Sequence, residues 1–188
     1  LLTYGDYLII SKQHSMWMLT GEGINTFQVR RIHADKGAYA PRSLCIVNQM
    51  LCFISDDGIY FSDFTQPVLI SERMRQTWAG LNKRRLNLVA SWFTEHKLYV
   101  AVPNGTSQRN NLVIVYDALR QAFAGVFTDW NVSCWTDFRE AGEINSYFGC
   151  SDTGQVKRIN SGYNNAGQAF TAEYKSKEFA FGAPEVLK

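Results

Sequence analysis

Leu8-Ile9-Ile10-Ser11, Cys52-Phe53-Ile54-Ser55, Tyr99-Val100-Ala101-Val102 and Phe148-Gly149-Cys150-Ser151 are four versions of one short phrase, with starts 44, 47 and 49 residues apart. After each phrase comes a turn and then a second apolar run. These runs are Met16-Trp17-Met18-Leu19, Ile59-Tyr60-Phe61, Leu112-Val113-Ile114-Val115-Tyr116 and Gln155-Val156-Lys157-Arg158-Ile159. Strand units that recur at a period of roughly 40–50 residues are the sequence mark of stacked four-stranded blades. The expected fold is therefore all-β, a β-propeller built of about four antiparallel four-stranded blades. The repeat carries turn and core residues and no reactive group, which weighs against an enzyme.

Working outward from the phrases, the propeller is expected over 1–178, with blades near 1–36, 37–71, 86–128 and 129–176 and an exit segment over 179–188. The first blade reads as lacking its opening strand. It has a hairpin, 7–11 and 15–19, around Lys12-Gln13-His14, and a third strand over 27–32. Strands are expected at 43–47, 50–55, 58–62 and 67–70 in the second blade, and at 88–93, 97–102, 111–117 and 122–127 in the third. The fourth takes 132–138, 145–151, 154–159 and 168–175. Ser55-Asp56-Asp57-Gly58 and Ser151-Asp152-Thr153-Gly154 read as tight turns. Asp opens such turns by accepting backbone N–H bonds, and Gly closes them by tolerating positive φ. Residues 71–82 break the β pattern. Ser71 can cap a helix, and Ile70, Met74, Trp78 and Leu81 recur at helical spacing, so a short helix ending near Gly80 is expected there.

Apolar residues make up 46% of the 188 residues and aromatics 14%, which suits sheets. Charged residues are 19%, below the usual ~25%, so much of the surface is expected to be neutral or covered. A net charge of +2 is close to balance and does not by itself argue for a nucleic-acid reader or a membrane-surface protein. No stretch approaches the ~20 unbroken apolar residues of a membrane span, and no signal-peptide pattern occurs. The chain opens at Leu1-Leu2-Thr3, and the expectation is of a fragment of a longer polypeptide. Cys45 and Cys52 are equidistant from Asn48-Gln49, and Cys134 and Cys150 nearly so from Ala141-Gly142-Glu143. Each pair reads either as buried thiols or as a cross-strand disulfide. Metal binding is disfavoured, because no C-x-x-C occurs and no His lies near either pair.

No cofactor site and no catalytic set is nominated. The Asp-rich turns lack the ligand spacing of a calcium loop, so Asp56, Asp57 and Asp152 read as turn formers. His14, His33 and His96 lie far apart and read as solvated turn or strand-end residues without an adjacent activating partner. Glu140 and Glu143 share one hairpin loop, with nothing to mark them as a glycosidase pair. Arg73, Arg75, Lys83, Arg84 and Arg85 form the densest basic cluster. It reads either as contact with a polyanion (DNA or an acidic partner) or as a solvated helix face and loop. It lacks interleaved aromatics for base stacking. The long polar hairpin tip over 104–110, with Asn104 and Arg109, is the second candidate interface. Trp92 and Trp135 hold equivalent first-strand positions, which predicts ring stacking between blades.

Three stretches carry a family resemblance. They are Tyr39-Ala40-Pro41-Arg42-Ser43 followed by Leu51-Cys52-Phe53-Ile54-Ser55-Asp56-Asp57-Gly58-Ile59-Tyr60, the opening Gly5-Asp6-Tyr7-Leu8-Ile9-Ile10 with Ser15-Met16-Trp17-Met18-Leu19-Thr20-Gly21, and Ala172-Glu173-Tyr174-Lys175-Ser176-Lys177-Glu178-Phe179. Together they resemble the β-propeller domain of tailed-bacteriophage tail proteins, the nozzle, hub or DNA-stabilisation proteins of short-tailed phages. The resemblance implies a structural virion protein without enzymatic activity, assembled in the host cytoplasm. It implies copies packed in a ring beneath a portal or adaptor, contact with other tail proteins, and non-specific contact with genomic DNA as the genome is retained and ejected. The chain is shorter than a whole nozzle protein and lacks the ring-forming part, so no channel-lining residue is carried over. WD40 proteins are less similar, since Asp129-Trp130 reverses their Trp-Asp pair. Two rival readings remain. A carbohydrate-binding propeller for host attachment would show inter-blade pockets with exposed aromatics. A hydrolase propeller would show acids facing the axis, whereas the four phrases, read as inner strands, are apolar.

Overall fold

The computed structural model describes residues 1–128, 130–162, 164 and 167–175. Blade 1 is the meander β1 (Leu2–Tyr4), β2 (Tyr7–Ser11), β3 (Met16–Thr20) and β4 (Gln28–His33). Blade 2 is β5 (Leu44–Val47), β6 (Met50–Ile54), β7 (Ile59–Ser62) and β8 (Pro67–Leu69). A 3-10 turn (Ser71–Met74), the helix α1 (Arg75–Ala79) and a second 3-10 segment (Lys83–Leu88) lead to blade 3. Blade 3 is β9 (Ala90–Thr94), β10 (Lys97–Val102), β11 (Leu112–Asp117) and β12 (Ala122–Phe127). Blade 4 has three strands among the described residues, β13 (Val132–Glu140), β14 (Glu143–Cys150) and β15 (Val156–Arg158). Every neighbouring pair is antiparallel, so the loops between second and third strands and the blade-to-blade crossings emerge at one end of the molecule. The first-to-second hairpins emerge at the other.

The first strands face a common axis, β1 against β5, β5 against β9 and β9 against β13. β13 and β1 make no comparable contact, so among the described residues the β-propeller-like arc is not closed. Three apolar seams hold it together. Ile9, Met16 and Met18 meet Leu51, Phe53 and Tyr60 between blades 1 and 2. Cys52, Ile54 and Phe61 meet Leu98, Val100 and Ile114 between blades 2 and 3. Tyr99, Ala101 and Val115 meet Phe148 and Cys150 between blades 3 and 4.

All four phrases fall in the second strand of their blade, one strand out from the axis rather than innermost. Their facing differs. Ile9 looks forward to blade 2, while Phe53 and Val100, in the same place of their phrases, look back. In blade 4 it is Phe148 and Cys150 that look back to blade 3, not Gly149 between them. Strand side chains alternate, so an offset of one residue exchanges the two faces.

Five local expectations change. Blade 1 does have an opening strand, because Tyr4 stacks on Phe64 at 5.4 Å and its hydroxyl donates to the Gln49 carbonyl. No strand forms over 168–175. Phe170 and Tyr174 alternate as a strand would, but Tyr174 is 90% exposed and Phe170, 57% exposed, only lines the rim between blades 3 and 4 without entering the buried seam. Ser71 does not cap the helix; it is buried, and its hydroxyl accepts the Ile59 N–H at 3.0 Å. Gly58 has no positive φ, and what selects glycine is space, since a Cβ there would strike the Ser71 hydroxyl and a Leu69 methyl. Gly154, in the sister turn, does take φ +68°. Finally, Cys45 opposes Cys52 as the Asn48-Gln49 turn predicts, but Cys134 opposes Gly149, because Glu140 pairs with Glu143 and the turn is the two residues Ala141-Gly142; a bulge beyond Cys134 then sets Val132 opposite Cys150. All four thiols are free, and Cys134 is exposed while the other three are buried. The exit segment over 179–188 lies outside the described residues.

Candidate functional site

The segment from 70 to 88 folds as its spacing requires. Trp78 (4% exposed), Leu81 and Leu86 enter the seam between blades 2 and 3, with Ile70 and Met74 packed against them. The Trp78 indole N–H donates to the Asp56 carbonyl at 3.0 Å, which pins α1 to the turn of blade 2. With its apolar face committed, the opposite face carries Arg73 and Arg75 into solvent. Asn82 starts the next 3-10 segment by accepting the Arg84 N–H at 3.2 Å, and Lys83, Arg84 and Arg85 are exposed.

The 103–111 loop of blade 3 is fastened to this segment. The Asn82 N–H donates to the Pro103 carbonyl at 2.8 Å and the Gly105 N–H to the Gly80 carbonyl at 2.9 Å. Leu81 and Asn104 form a β-bridge. The Asn82 amide donates to the Ser107 carbonyl at 2.9 Å, and Arg85 Nε donates to Gln108 Oε1 at 2.6 Å. Asn111 accepts the Asn104 N–H at 2.7 Å. The two candidate interfaces of the sequence therefore form one continuous surface. Asn110 departs from the expected polar tip. It is 2% exposed, and its amide donates to the carbonyls of Leu88 (2.7 Å) and Val132 (3.0 Å), joining blade 3 to blade 4.

On this surface Arg75 pairs with Glu72, while Lys83 donates to the Asp56 carbonyl at 2.9 Å and lies over the Trp78 ring. Partial burial holds the Lys83 ammonium below the usual lysine value, against the pull of Asp56 and Asp57. Asp57 is closed off by Lys36 Nζ at 2.6 Å and the Tyr60 hydroxyl at 2.7 Å, and that bond pushes Lys36 up to about 12. The guanidinium groups of Arg73, Arg84 and Arg109 have no partner among the described residues. Residues 71–85 and 104–110 hold six of the chain's 19 Lys and Arg but one of its 17 Asp and Glu. Asn82 and Gln108, which brace the surface, have no sequence signal beyond lying beside the basic run and in the polar loop.

Elsewhere the sequence-level sites disperse. His14 and His96 are exposed in hairpin turns as expected, but His33 closes β4 and is 3% exposed against Phe53. Glu140 and Glu143 face each other at the outer tip of the long β13–β14 hairpin. Asp152 accepts the Thr153 N–H, as a turn former does, and also the Asn131 amide at 2.7 Å. Trp135 packs at a tilt against Tyr99 across the seam (5.8 Å) and against Phe148 of its own blade (5.6 Å) rather than stacking, whereas Trp92 donates its N–H to Asp137 Oδ1 at 3.2 Å and joins no described ring pair. Strands of all four blades line an axial cavity of about 500 Å³, in which Asp137 is the one carboxylate. A groove of about 490 Å³ lies between blades 3 and 4, and its Trp130 is sandwiched by Phe127 at 4.5 Å and Phe148 at 4.9 Å. No group of three or more His, Cys, Asp or Glu able to hold a metal occurs among the described residues, and no described helix is long and apolar enough to cross a membrane.

No protein-family model matches the chain, and no curated protein does. Among solved structures, the computationally designed Ika4 protein is similar at 14% identity and a TM-score of 0.50, over 83% of this chain and 86% of that one. The computationally designed Ika8 protein aligns at 12% identity and a TM-score of 0.39, over 80% of this chain and 44% of that one. The likeness to Ika4 concerns the fold alone, an all-β, β-propeller-like stack of four antiparallel sheets.

Proposed function

We propose that the chain is a propeller module of a tailed-bacteriophage tail, of the nozzle or hub type, and that it works through packing and interfaces rather than chemistry. The reading starts from the sequence resemblance, and the observation that supports it is the open arc with an uncovered apolar flank. Seams bury the backward faces of blades 2, 3 and 4. The corresponding face of blade 1 carries Leu8, Ile10, Trp17 and Leu19, half-buried, and Val29, 61% exposed. The forward face of blade 4 is also uncovered, with Cys134, Thr136, Phe138 and Val156 exposed beside Tyr147 and Gly149. An apolar sheet face of this kind fits a module built into a larger assembly, where another blade or subunit covers it. In this reading copies sit in a ring beneath a portal or adaptor, in the virion, around the path of the genome.

The carbohydrate-binding alternative has less support. Its supporting feature is the groove between blades 3 and 4, where Trp130 is stacked against Phe127 and Phe148 while Phe127 and Phe170 are 41% and 57% exposed. The deciding experiment is native mass spectrometry and electron microscopy of the full-length polypeptide that contains this chain. Closed rings of fixed copy number are expected. A monomer that binds a glycan array would replace the reading with a lectin. Sugar hydrolysis abolished by Asp137→Asn would replace it with an enzyme.

A further inference from the structure

We propose that the joined surface of 71–85 and 104–110 binds the phosphate backbone of duplex DNA without regard to sequence. The proposal deepens the tail reading but stands on charge and geometry, and it is tested apart from ring formation.

The charge is concentrated. This surface carries a net +5 while the rest of the chain carries −3, so the near-neutral total hides a strongly polarised molecule. The one acid of the surface is paired within it, and the two carboxylates on its border each have a partner. Glu72 pairs with Arg75, Asp57 is held by Lys36, and Asp56 accepts the Ser55 hydroxyl. Arg73, Arg84 and Arg109 are left with open forks of N–H donors, the geometry that grips phosphate oxygens two at a time. The backbone beneath them is braced, because four hydrogen bonds and one bridge tie the loop to the helical segment, so little further ordering is needed on binding.

Two observations choose the ligand. The one ring of the segment, Trp78, is buried, so no exposed aromatic is available to stack unpaired bases, and single strands are disfavoured. The surface also lacks the apolar centre of a protein–protein interface, since the large apolar side chain exposed beside it is Leu88. What remains is a cationic face suited to a continuous anionic backbone.

The test is fluorescence anisotropy of the 188-residue chain with two labelled 30-base-pair duplexes of unrelated sequence. Both are expected to bind alike. If the three open guanidinium groups each neutralise one phosphate, raising salt from 50 to 200 mM weakens binding about 40-fold through them. The triple variant Arg73→Gln, Arg84→Gln, Arg109→Gln is expected to lose that share of the salt dependence. The control Arg30→Gln, Arg139→Gln, exposed cations outside the surface, is expected to keep it. The single variant Arg84→Glu, checked by circular dichroism, guards against misfolding of the triple variant. Absence of duplex binding at 50 mM salt, binding that the triple variant retains, or preference for single strands overturns the proposal. Tighter binding to poly-glutamate of equal charge also overturns it, in favour of an acidic protein partner. None of these results bears on whether rings form.

Discussion

Lowering the pH should loosen the seam between blades 1 and 2 through one residue, His33. Its ring lies 5.9 Å from that of Phe53, opposite Met16, and among the described residues neither ring nitrogen has a partner. Burial lowers its pKa from 6.5, and the Ile32 backbone and then the carboxylates of Asp35 and Asp63 oppose this only in part. The folded protein therefore keeps His33 neutral over a range where the unfolded chain has already bound a proton. Stability from this group is complete above pH 6.5 and is lost as pH falls below it. While the unfolded chain alone holds the proton the loss is at most about 1.4 kcal/mol per pH unit, and it stops once pH reaches the lowered folded value. Urea unfolding followed by tryptophan fluorescence at pH 7.5, 6.5 and 5.0 measures this, with His33→Leu as the comparison. The variant keeps an apolar side chain at the seam and has nothing to protonate. It should show a shallower loss of stability toward pH 5 than the wild type, whose carboxylates it shares. Parallel pH profiles for the two proteins would refute the reasoning.

Three further outcomes follow from local geometry. Asn110→Ala leaves the Leu88 and Val132 carbonyls without their donor and should cost about 2–3 kcal/mol in urea unfolding. Asn48 and Gln49 hold φ of 46° and 68°, so Gln49→Gly should relieve a left-handed residue and raise stability by about 0.5–1 kcal/mol after the entropy cost of glycine, read from the same assay. A thiol-reactive dye should label Cys134 in the folded protein and the other three cysteines only on unfolding. Burial raises the Cys52 thiol pKa and withholds its reactive thiolate, so early labelling of Cys52 would contradict the seam packing.

Most of the strand plan was legible in advance because it depends on short-range chemistry. Alternating apolar runs and turn residues place β6, β7, β10, β11 and β12 to within a residue, and the Met74-Trp78-Leu81 spacing places the helix. The misses come where a distant partner decides. β1 exists because Phe64 and Gln49 receive Tyr4. The segment over 168–175 has a strand's alternation, but it does not enter the buried seam. His33 looked like a strand-end residue in solvent, and Phe53 of the next blade buries it.

The candidate surface was half legible. Its cations stand together in the chain, but nothing in their order tells that Arg109 joins them or that Asn110 turns inward. Those facts depend on hydrogen bonds between Gly80–Arg85 and the blade 3 loop, and between Asn110 and β13. What the amino-acid order alone determined is the repeat and its strands, since alternation and turn preference act over a few neighbouring residues. Which face of each strand meets which blade was decided by tertiary packing. A shift of one residue exchanges the faces, as the opposite orientations of Ile9 and Phe53 within the same phrase demonstrate, and only the neighbouring sheet selects between them.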